Sequence, residues 1–182
     1  MRPAVDSCAD EWIRPRVSDR TSRGDEVDPG GPATRDTWRA YLRLPWDERY
    51  HLIPDKQPGI EATLISCCDD EHCDLVVTTG GTGPAARDVT PEAAAAVGAK
   101  MLPGFGEQMR ATSLHDVATA ILSRQTAGIR GRSPIINVPG RPKSIRECFD
   151  AVFTAILYCF ELIGAAYLET DKAVVKALRP EG

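Results

Sequence analysis

The sequence predicts an α/β fold of three layers, α/β/α, around a mostly parallel sheet. Compact apolar runs at 75–79 and 134–138 have the length and β-branched content of buried strands. Segments with apolar residues at helical spacing precede and follow them. Because parallel strands need a crossover, and the crossover is usually a helix, this alternation predicts helices on both faces of the sheet.

Composition places the chain among ordinary globular proteins. Its 182 residues are 42% hydrophobic and 26% charged, with a net charge of -4, which suits one domain and argues against a nucleic-acid partner. The most apolar run, 151–160, is shorter than the roughly 20 residues that span a bilayer, so no membrane association is expected. The first residues lack a secretory pattern, and we expect a cytoplasmic protein.

The elements follow in order along the chain. Residues 18–37 are polar and rich in Gly, Pro and Asp, and they predict one long loop. A helix is expected from about Ala33 to Leu44, where Pro45 ends it. A short strand is expected over 50–53.

The middle of the chain predicts two helices around a strand. Apolar spacing predicts a helix from Pro58 to about Asp70, followed by the strand 75–79. Thr90 is a candidate N-cap for an Ala-rich helix that runs to about Ala99. One or two further helices are expected over 106–122.

The last strand and helix close the fold. The run 134–138 predicts a buried strand, and the pattern Ser144-x-x-Glu147 resembles a capping box at the start of a long helix. The expected inward positions of that helix are Ile145, Cys148, Phe149, Val152, Phe153, Ile156 and Phe160.

Six cysteines raise the question of disulfides or a metal site. A chain of this length forms a core without disulfides, so free thiols are expected at Cys8, Cys67, Cys68, Cys73, Cys148 and Cys159. Cys67, Cys68, His72 and Cys73 are close in sequence, but their spacing fits no usual zinc pattern and no second ligand pair follows. Buried thiols are therefore the favoured interpretation.

A glycine-rich run after the strand 75–79 is the main candidate binding segment. Its glycines allow backbone N–H groups to approach an anion, and its hydroxyls add hydrogen bonds. The alternative is a tight turn that needs small residues. The run matches neither the P-loop nor the dinucleotide fingerprint. The candidate phosphate-binding residues are Thr78, Thr79, Gly80, Gly81, Thr82 and Gly83.

Two aspartates are the candidate catalytic residues. Asp55 follows one expected strand and Asp88 lies shortly after the glycine-rich run, so parallel strands would bring both to one edge of the sheet. A carboxylate beside phosphate is repulsive unless a cation intervenes, which predicts Mg²⁺. The alternative for each is a cap of a helix or turn. Further cations that could neutralise phosphate, or simply lie on the surface, are Arg87, Arg124, Arg141 and Lys143.

The remaining inventory points away from covalent catalysis. The three histidines are scattered, and no Ser/His/Asp or Cys/His arrangement is legible. Phosphoryl or nucleotidyl transfer needs mainly positioning and charge neutralisation, which suits this set of residues.

Several motifs resemble those of a known family. TTGGTGPAARDVTPEA (78–93), MLPGFGEQMR (101–110), LSRQTAGIRGR (122–132) and INVPGRPKSIRECF (136–149), with SDR at 18–20 and LIPD at 52–55, resemble the bacterial molybdopterin adenylyltransferases of the MogA, MoaB and gephyrin G-domain family. The resemblance implies a molybdopterin-binding domain fold. It also implies that ATP adenylylates the molybdopterin phosphate, with release of pyrophosphate. A MoaB-like paralogue or a non-catalytic molybdopterin-binding scaffold is the alternative.

The resemblance also assigns roles to residues. It makes Asp55 and Asp88 the essential aspartates and gives nucleotide phosphates to residues 78–83. The implied pterin-side residues are Ser18, Asp19, Ser123, Arg124, Gly128, Pro139, Gly140, Pro142, Lys143 and Ser144. It further implies a homotrimer and hand-over of the product to a molybdate-inserting enzyme.

The first strand departs from the family pattern. Residues 12–17 read WIRPRV, with two arginines around a proline, where relatives carry a continuous apolar run. We therefore expect a degraded first strand in a poorly conforming segment, 1–17, ahead of the molybdopterin-binding domain at 18–180.

Overall fold

The computed structural model describes residues 29–43, 46–171 and 173, and the backbone of 13–17. Six strands form one sheet: β1 (Ile13–Val17), β2 (Arg49–Ile53), β3 (Val76–Thr79), β4 (Lys100–Met101), β5 (Ala127–Arg130) and β6 (Ser133–Val138). Five α-helices accompany it: α1 (Gly30–Tyr41), α2 (Gln57–Asp69), α3 (Thr90–Val97), α4 (Pro103–Leu114) and α5 (Pro142–Ile163), with a 3₁₀ turn at Ala118–Leu122.

The sheet is mixed, so the expectation of a mostly parallel sheet was slightly off. Its strand order is β2-β1-β3-β6-β5-β4, and the first four strands are parallel. β5 runs antiparallel to both of its neighbours, β4 and β6. The pair β5–β6 is antiparallel because Gly131, at φ 58°, turns the chain directly from one strand into the other. The sequence analysis missed β4 and β5, since two and four residues are too few to show a period.

Helices cover both faces of the sheet, as predicted. Val76 packs with α2 and α3 around Ile60 and Leu64, whereas Val77 packs with α1, α4 and α5 around Phe149. All four residues of β3 are buried, which is expected of a strand enclosed on both faces. The three-layer α/β/α architecture is therefore confirmed. None of the described helices combines the length and apolar character needed to cross a membrane.

Helix starts differ from the predictions. α1 begins at Gly30, inside the segment expected to be a loop, where it packs so closely that a Cβ on Gly30 would lie 2.9 Å from Thr79 Oγ1. Thr90 is the first residue of α3 and forms no side-chain cap. The predicted capping box is also wrong, because α5 begins at Pro142 and has no side-chain cap bond.

β1 occupies an interior position in the sheet. It pairs with β2 over its whole length but with β3 only at Ile13 and Val76. The segment that was expected to be a degraded strand therefore forms β1, in which Pro15 lies opposite His51. Pro15 lacks the N–H that a ladder uses. The low stability of β1 within the sheet stays a prediction.

We predict that β1 exchanges its amide hydrogens faster than β3 does. Replacing Arg14, Pro15 and Arg16 together by Val should restore the missing donor, raise the melting temperature and slow exchange in β1. Hydrogen exchange followed by mass spectrometry measures the protection of β1 and β3 in both proteins, and thermal unfolding gives their melting temperatures. Equal protection of 13–17 and 76–79 in the unmodified chain, or a lower melting temperature in the triple variant, would contradict the prediction.

Candidate active site

Three segments meet at the carboxyl edge of the parallel strands. Gly80 follows β3 and Gly140 follows β6, and a Cβ on Gly140 would lie 3.5 Å from the Cα of Gly80. The start of α1 joins them, because a Cβ on Gly30 would lie 3.4 Å from the carbonyl oxygen of Gly140. The expectation that these strand ends share one edge is confirmed.

The loop of residues 80–83, here called the glycine loop, is fixed through its carbonyl oxygens. The Gly81 carbonyl accepts a hydrogen bond from the Thr90 N–H at 3.3 Å, and the Thr82 carbonyl accepts one from the Arg124 N–H at 2.8 Å. The Gly83 carbonyl accepts a hydrogen bond from Arg124 Nε at 2.8 Å. Three consecutive carbonyls are therefore satisfied by the protein.

The N–H groups of the same three residues make no hydrogen bond within the described part of the chain. By contrast, the Gly80 N–H donates to the Val138 carbonyl at 3.0 Å and continues the pairing of β3 with β6. Consecutive N–H groups in a tight turn form a concavity that binds anions. The glycine loop thus offers three donors, from Gly81, Thr82 and Gly83.

Both the backbone conformation and the close packing around residue 81 require a glycine at this position. Its φ is 63°, in the left-handed region that favours glycine. A Cβ at this position would lie 2.2 Å from Thr90 Oγ1, the side chain of the first α3 residue. The glycine loop can therefore approach α3 only without a side chain at residue 81.

Arg124 joins the glycine loop to α3. Besides the Gly83 carbonyl, its guanidinium donates to the Asp88 carbonyl and to the carboxylate of Glu92. Partial burial tends to raise the pKa of Glu92, but the Arg124 hydrogen bond and a backbone hydrogen bond outweigh it, so the pKa lies below its usual value. All these contacts hold the loop in place, a role that the sequence analysis did not assign to Arg124.

The two candidate catalytic aspartates border the glycine loop. Asp55 Oδ1 is buried and lies 3.7 Å from the position of a Cβ on Gly81. Asp88 Oδ2 lies 2.7 Å from the position of a Cβ on Gly83, and it accepts a hydrogen bond from the Ala85 N–H at 3.1 Å. Asp88 therefore also caps the turn, which was the alternative interpretation.

Threonine hydroxyls complete this edge. Asn137 Nδ2 donates to Thr78 Oγ1 at 2.8 Å and holds it within the sheet. Thr79 Oγ1 and Thr90 Oγ1 are buried and have no hydrogen-bond partner among the described residues. Buried hydroxyls are costly to leave unsatisfied. Thr90 and Glu92 were missed as site residues because Thr-Pro-Glu had been interpreted as the start of a helix, and Asn137 was missed because it lies within the predicted strand 134–138.

The predicted pterin-side residues are more scattered. Ser18 and Asp19 lie outside the described residues. Gly128 is inside β5, where a Cβ would lie 3.0 Å from Met101 Sδ, so its smallness serves strand packing. Ser123 donates its hydroxyl hydrogen to Gln125 Oε1, and Arg110 donates to the Gln125 carbonyl at 2.9 Å.

The loop between β6 and α5 carries the rest of that set. Pro139 and Gly140 are half-buried, Pro142 begins α5, and Ser144 is half-buried in its first turn. The Lys143 ammonium is exposed and bonds the carboxylate of Asp116 at 2.8 Å, an ion pair that raises the pKa of Lys143.

Residues 17–158 match the family described as "probable molybdopterin binding domain". The chain belongs to this family. It is 55% identical over 165 residues to the molybdopterin adenylyltransferase of Helicobacter pylori, covering 91% of this chain and 94% of the relative. It is 47% identical over 177 residues to the molybdopterin adenylyltransferase of Escherichia coli, covering 91% of each.

Solved structures agree with this assignment. The molybdopterin biosynthesis enzyme MoaB of Thermus thermophilus superimposes with a TM-score of 0.79 at 36% identity, over 87% of this chain and 99% of that one. A MogA structure superimposes with a TM-score of 0.77 at 28% identity, over 85% and 99%. The family resemblance seen in the sequence is thereby confirmed.

We predict that Gly81→Ala impairs both stability and nucleotide binding, because the new methyl would clash with Thr90. The matched control is Gly131→Ala, since Gly131 has a similar φ of 58° but open space around it. The control should lose only the left-handed backbone preference, about 1–2 kcal/mol. Gly81→Ala should lose about 1–3 kcal/mol more from overpacking and raise the KM for ATP. Equal unfolding free energies and an unchanged KM would contradict the assignment.

Proposed function

We propose that this chain is a molybdopterin adenylyltransferase of molybdenum cofactor biosynthesis, which transfers the adenylyl group of ATP to the terminal phosphate of molybdopterin and releases pyrophosphate. The observation that carries the proposal is the set of three free N–H groups in the glycine loop, whose carbonyls are held by Thr90 and Arg124. The names of the relatives from Helicobacter pylori and Escherichia coli support the same reaction.

The glycine loop fits the phosphates of ATP. The N–H groups of Thr82 and Gly83 share peptide units with the held Gly81 and Thr82 carbonyls and are therefore fixed before a ligand arrives. They lose little freedom on binding and stabilise negative charge wherever it develops. The start of α1 lies beside the loop, and the positive end of a helix dipole favours the same anion. The hydroxyls of Thr79 and Thr90 add two buried donors.

The reaction needs positioning more than covalent chemistry. An oxygen of the molybdopterin phosphate attacks the α-phosphorus of ATP and forms the new P–O bond. The bond between the α-phosphorus and the bridging oxygen breaks, and pyrophosphate leaves with its electron pair. Fixed N–H donors stabilise the charge on the phosphate oxygens during this displacement.

The oxygen atoms around the glycine loop fit Mg²⁺ as the cation of the ATP substrate. Carboxylate oxygens of Asp55 and Asp88 border the loop, and Asp55 Oδ1 is buried beside Gly81. Hard oxygen ligands of this kind suit Mg²⁺, and Asp55 and Asp88 would hold it. When bound, the ion would neutralise phosphate charge next to the two carboxylates.

We assign the pterin side to the surroundings of the loop between β6 and α5. Gly140 contacts Gly80 of the glycine loop, and Pro139, Pro142, Lys143 and Ser144 lie in the same segment between β6 and the first turn of α5. Ser123 and Arg124 reach the same edge through the Arg124 hydrogen bonds to the loop. Gly128, and Ser18 and Asp19 outside the described residues, complete the set expected from the family resemblance.

The proposal is tested by incubating the purified chain with molybdopterin, ATP and Mg²⁺. Adenylylated pterin and an equal amount of pyrophosphate are expected, detected by mass spectrometry and a coupled phosphate assay. Pterin binding without any product would instead favour the non-catalytic scaffold. Boiled protein and ATP alone serve as controls.

We predict that Asp55→Asn and Asp88→Asn each abolish most turnover while molybdopterin binding stays nearly intact. Each change removes one negative charge from the edge of the glycine loop but preserves the shape of the side chain. Single-turnover formation of adenylylated pterin measures the rate, and a fluorescence titration measures pterin binding. Near-parental turnover in either variant would show that its aspartate has no catalytic part. Asp70→Asn, an exposed change after α2, is the control for charge alone.

The assembly is proposed to be a homotrimer in the cytoplasm, which passes the adenylylated product to a molybdate-inserting enzyme. Several large apolar side chains are exposed in the monomer, including Ile121, Leu122 and Leu162. We propose that the trimer covers these side chains, since contiguous exposed apolar surface is typical of a contact between subunits. Light scattering on a size-exclusion column should give three times the monomer mass. A monomer at micromolar concentration would refute the trimer.

A further inference from the structure

Three potential metal ligands come together away from the glycine loop. His51 lies in the middle of β2, Cys67 in the last turn of α2, and Glu71 just after α2. His51 Nε2 is 3.1 Å from Glu71 Oε1, and Cys67 Sγ is 3.9 Å from the same oxygen. One ligand atom from each residue lies within 4.8 Å of the other two.

The cluster differs from the one considered in the sequence. Of the described residues from Cys67 to Cys73, Cys67 and Glu71 group with His51, and the Cys67 thiol also makes a side-chain hydrogen bond with Cys73. Cys68, His72 and Cys73 instead line a neighbouring cavity of about 430 Å³. Residues 20 apart in sequence, His51 and Glu71, meet because α2 packs against β2 and returns the chain beside it.

We propose that His51, Cys67 and Glu71 bind a divalent cation of the zinc class. Thiolate, imidazole and carboxylate are the ligand types of zinc in proteins, and three protein ligands leave the fourth tetrahedral position to water. In a tetrahedral zinc site the ligand atoms are about 3.2–3.7 Å apart. The observed separations need to close by only about 1 Å to reach that geometry.

The proposed metal site is buried on the side of the thiol and open to solvent on the side of the imidazole and the carboxylate. Cys67 is fully buried, whereas the side chains of His51 and Glu71 are 34% and 24% exposed. A cation can therefore enter from solvent past the imidazole and the carboxylate. The buried thiol would supply the ligand that discriminates against Mg²⁺, which prefers oxygen.

The site would tie the edge strand β2 to the end of α2. Among the described strands β2 pairs with β1 alone, and its carboxyl end leads directly to Asp55. A cation held by His51 on the strand and by Cys67 and Glu71 at the end of the helix would add a cross-link between the two. It should raise the melting temperature, because a ligand that binds only the folded chain stabilises it.

The test begins with the full chain stripped by a chelator and kept reduced. Co²⁺ serves as a spectroscopic probe of a thiolate ligand, and Zn²⁺ is then titrated in competition. One equivalent should bind, with a thiolate-to-Co²⁺ charge-transfer band that Zn²⁺ removes, and Zn²⁺ should raise the melting temperature. A chain that binds no metal, or binds it without the thiolate band, overturns the proposal.

Variants localise the binding. His51→Gln changes a half-exposed side chain, and Cys67→Ser the buried one; each should weaken Zn²⁺ at least about tenfold. Cys159→Ser and His115→Gln alter the same residue types elsewhere and should leave affinity unchanged. If Cys67→Ser fails to fold, His51→Gln and Glu71→Gln decide the question. If His51→Gln and Glu71→Gln both keep the full Zn²⁺ affinity of the parent chain, the metal binds at another site and the proposal is refuted.

Discussion

The carbonyl oxygens of Gly81, Thr82 and Gly83 are held by two segments that come from elsewhere in the chain, and the site depends on that arrangement. A peptide unit whose carbonyl is fixed has its N–H direction fixed as well, because the unit is planar. The hydrogen bonds from the Thr90 N–H at the start of α3 and from the Arg124 N–H before β5 thus determine where the N–H groups of Thr82 and Gly83 point, because these N–H groups share peptide units with the Gly81 and Thr82 carbonyls. A loop of the same sequence without these contacts would have to be ordered by its ligand, at a cost in binding free energy.

The sheet explains why those segments are available. β3 and β6 are parallel neighbours, so the glycine loop and the loop after β6 leave the sheet side by side. β5 runs the other way, so its beginning lies at the same edge and carries Arg124 there. β5, the one described strand that runs against the others, therefore brings the Arg124 guanidinium to the glycine loop.

Much of this could be predicted from the sequence. The buried strands β3 and β6, the helices between them, and the meeting of Asp55, Asp88 and the glycine loop at one edge follow from period and chain order. β4 and β5 could not be found, because their stability comes from pairing rather than from a local pattern. The early start of α1 was missed for a similar reason, since Gly30 packs against Thr79 and Gly140, which are distant in sequence.

The roles of individual side chains were harder to predict than their location. Arg124 was expected on the pterin side, and the sequence did not predict that its guanidinium also donates to backbone oxygens and to Glu92. Spacing along the chain carries no information on such contacts between residues more than 30 positions apart. The same limit hid His51, Cys67 and Glu71 as a group, although two of the three lie near the cysteine-rich run.

The central claim, that the glycine loop binds phosphate through its own N–H groups, is tested most directly by nuclear magnetic resonance of the ¹⁵N-labelled chain. Titration with ATP should shift the amide signals of Gly81, Thr82 and Gly83 strongly downfield, as expected of N–H groups that donate to phosphate. The Gly80 amide, already bonded to Val138, should move little, and adenosine without phosphates should leave all four signals in place. Equal shifts with adenosine, or a large shift at Gly80 alone, would contradict the account.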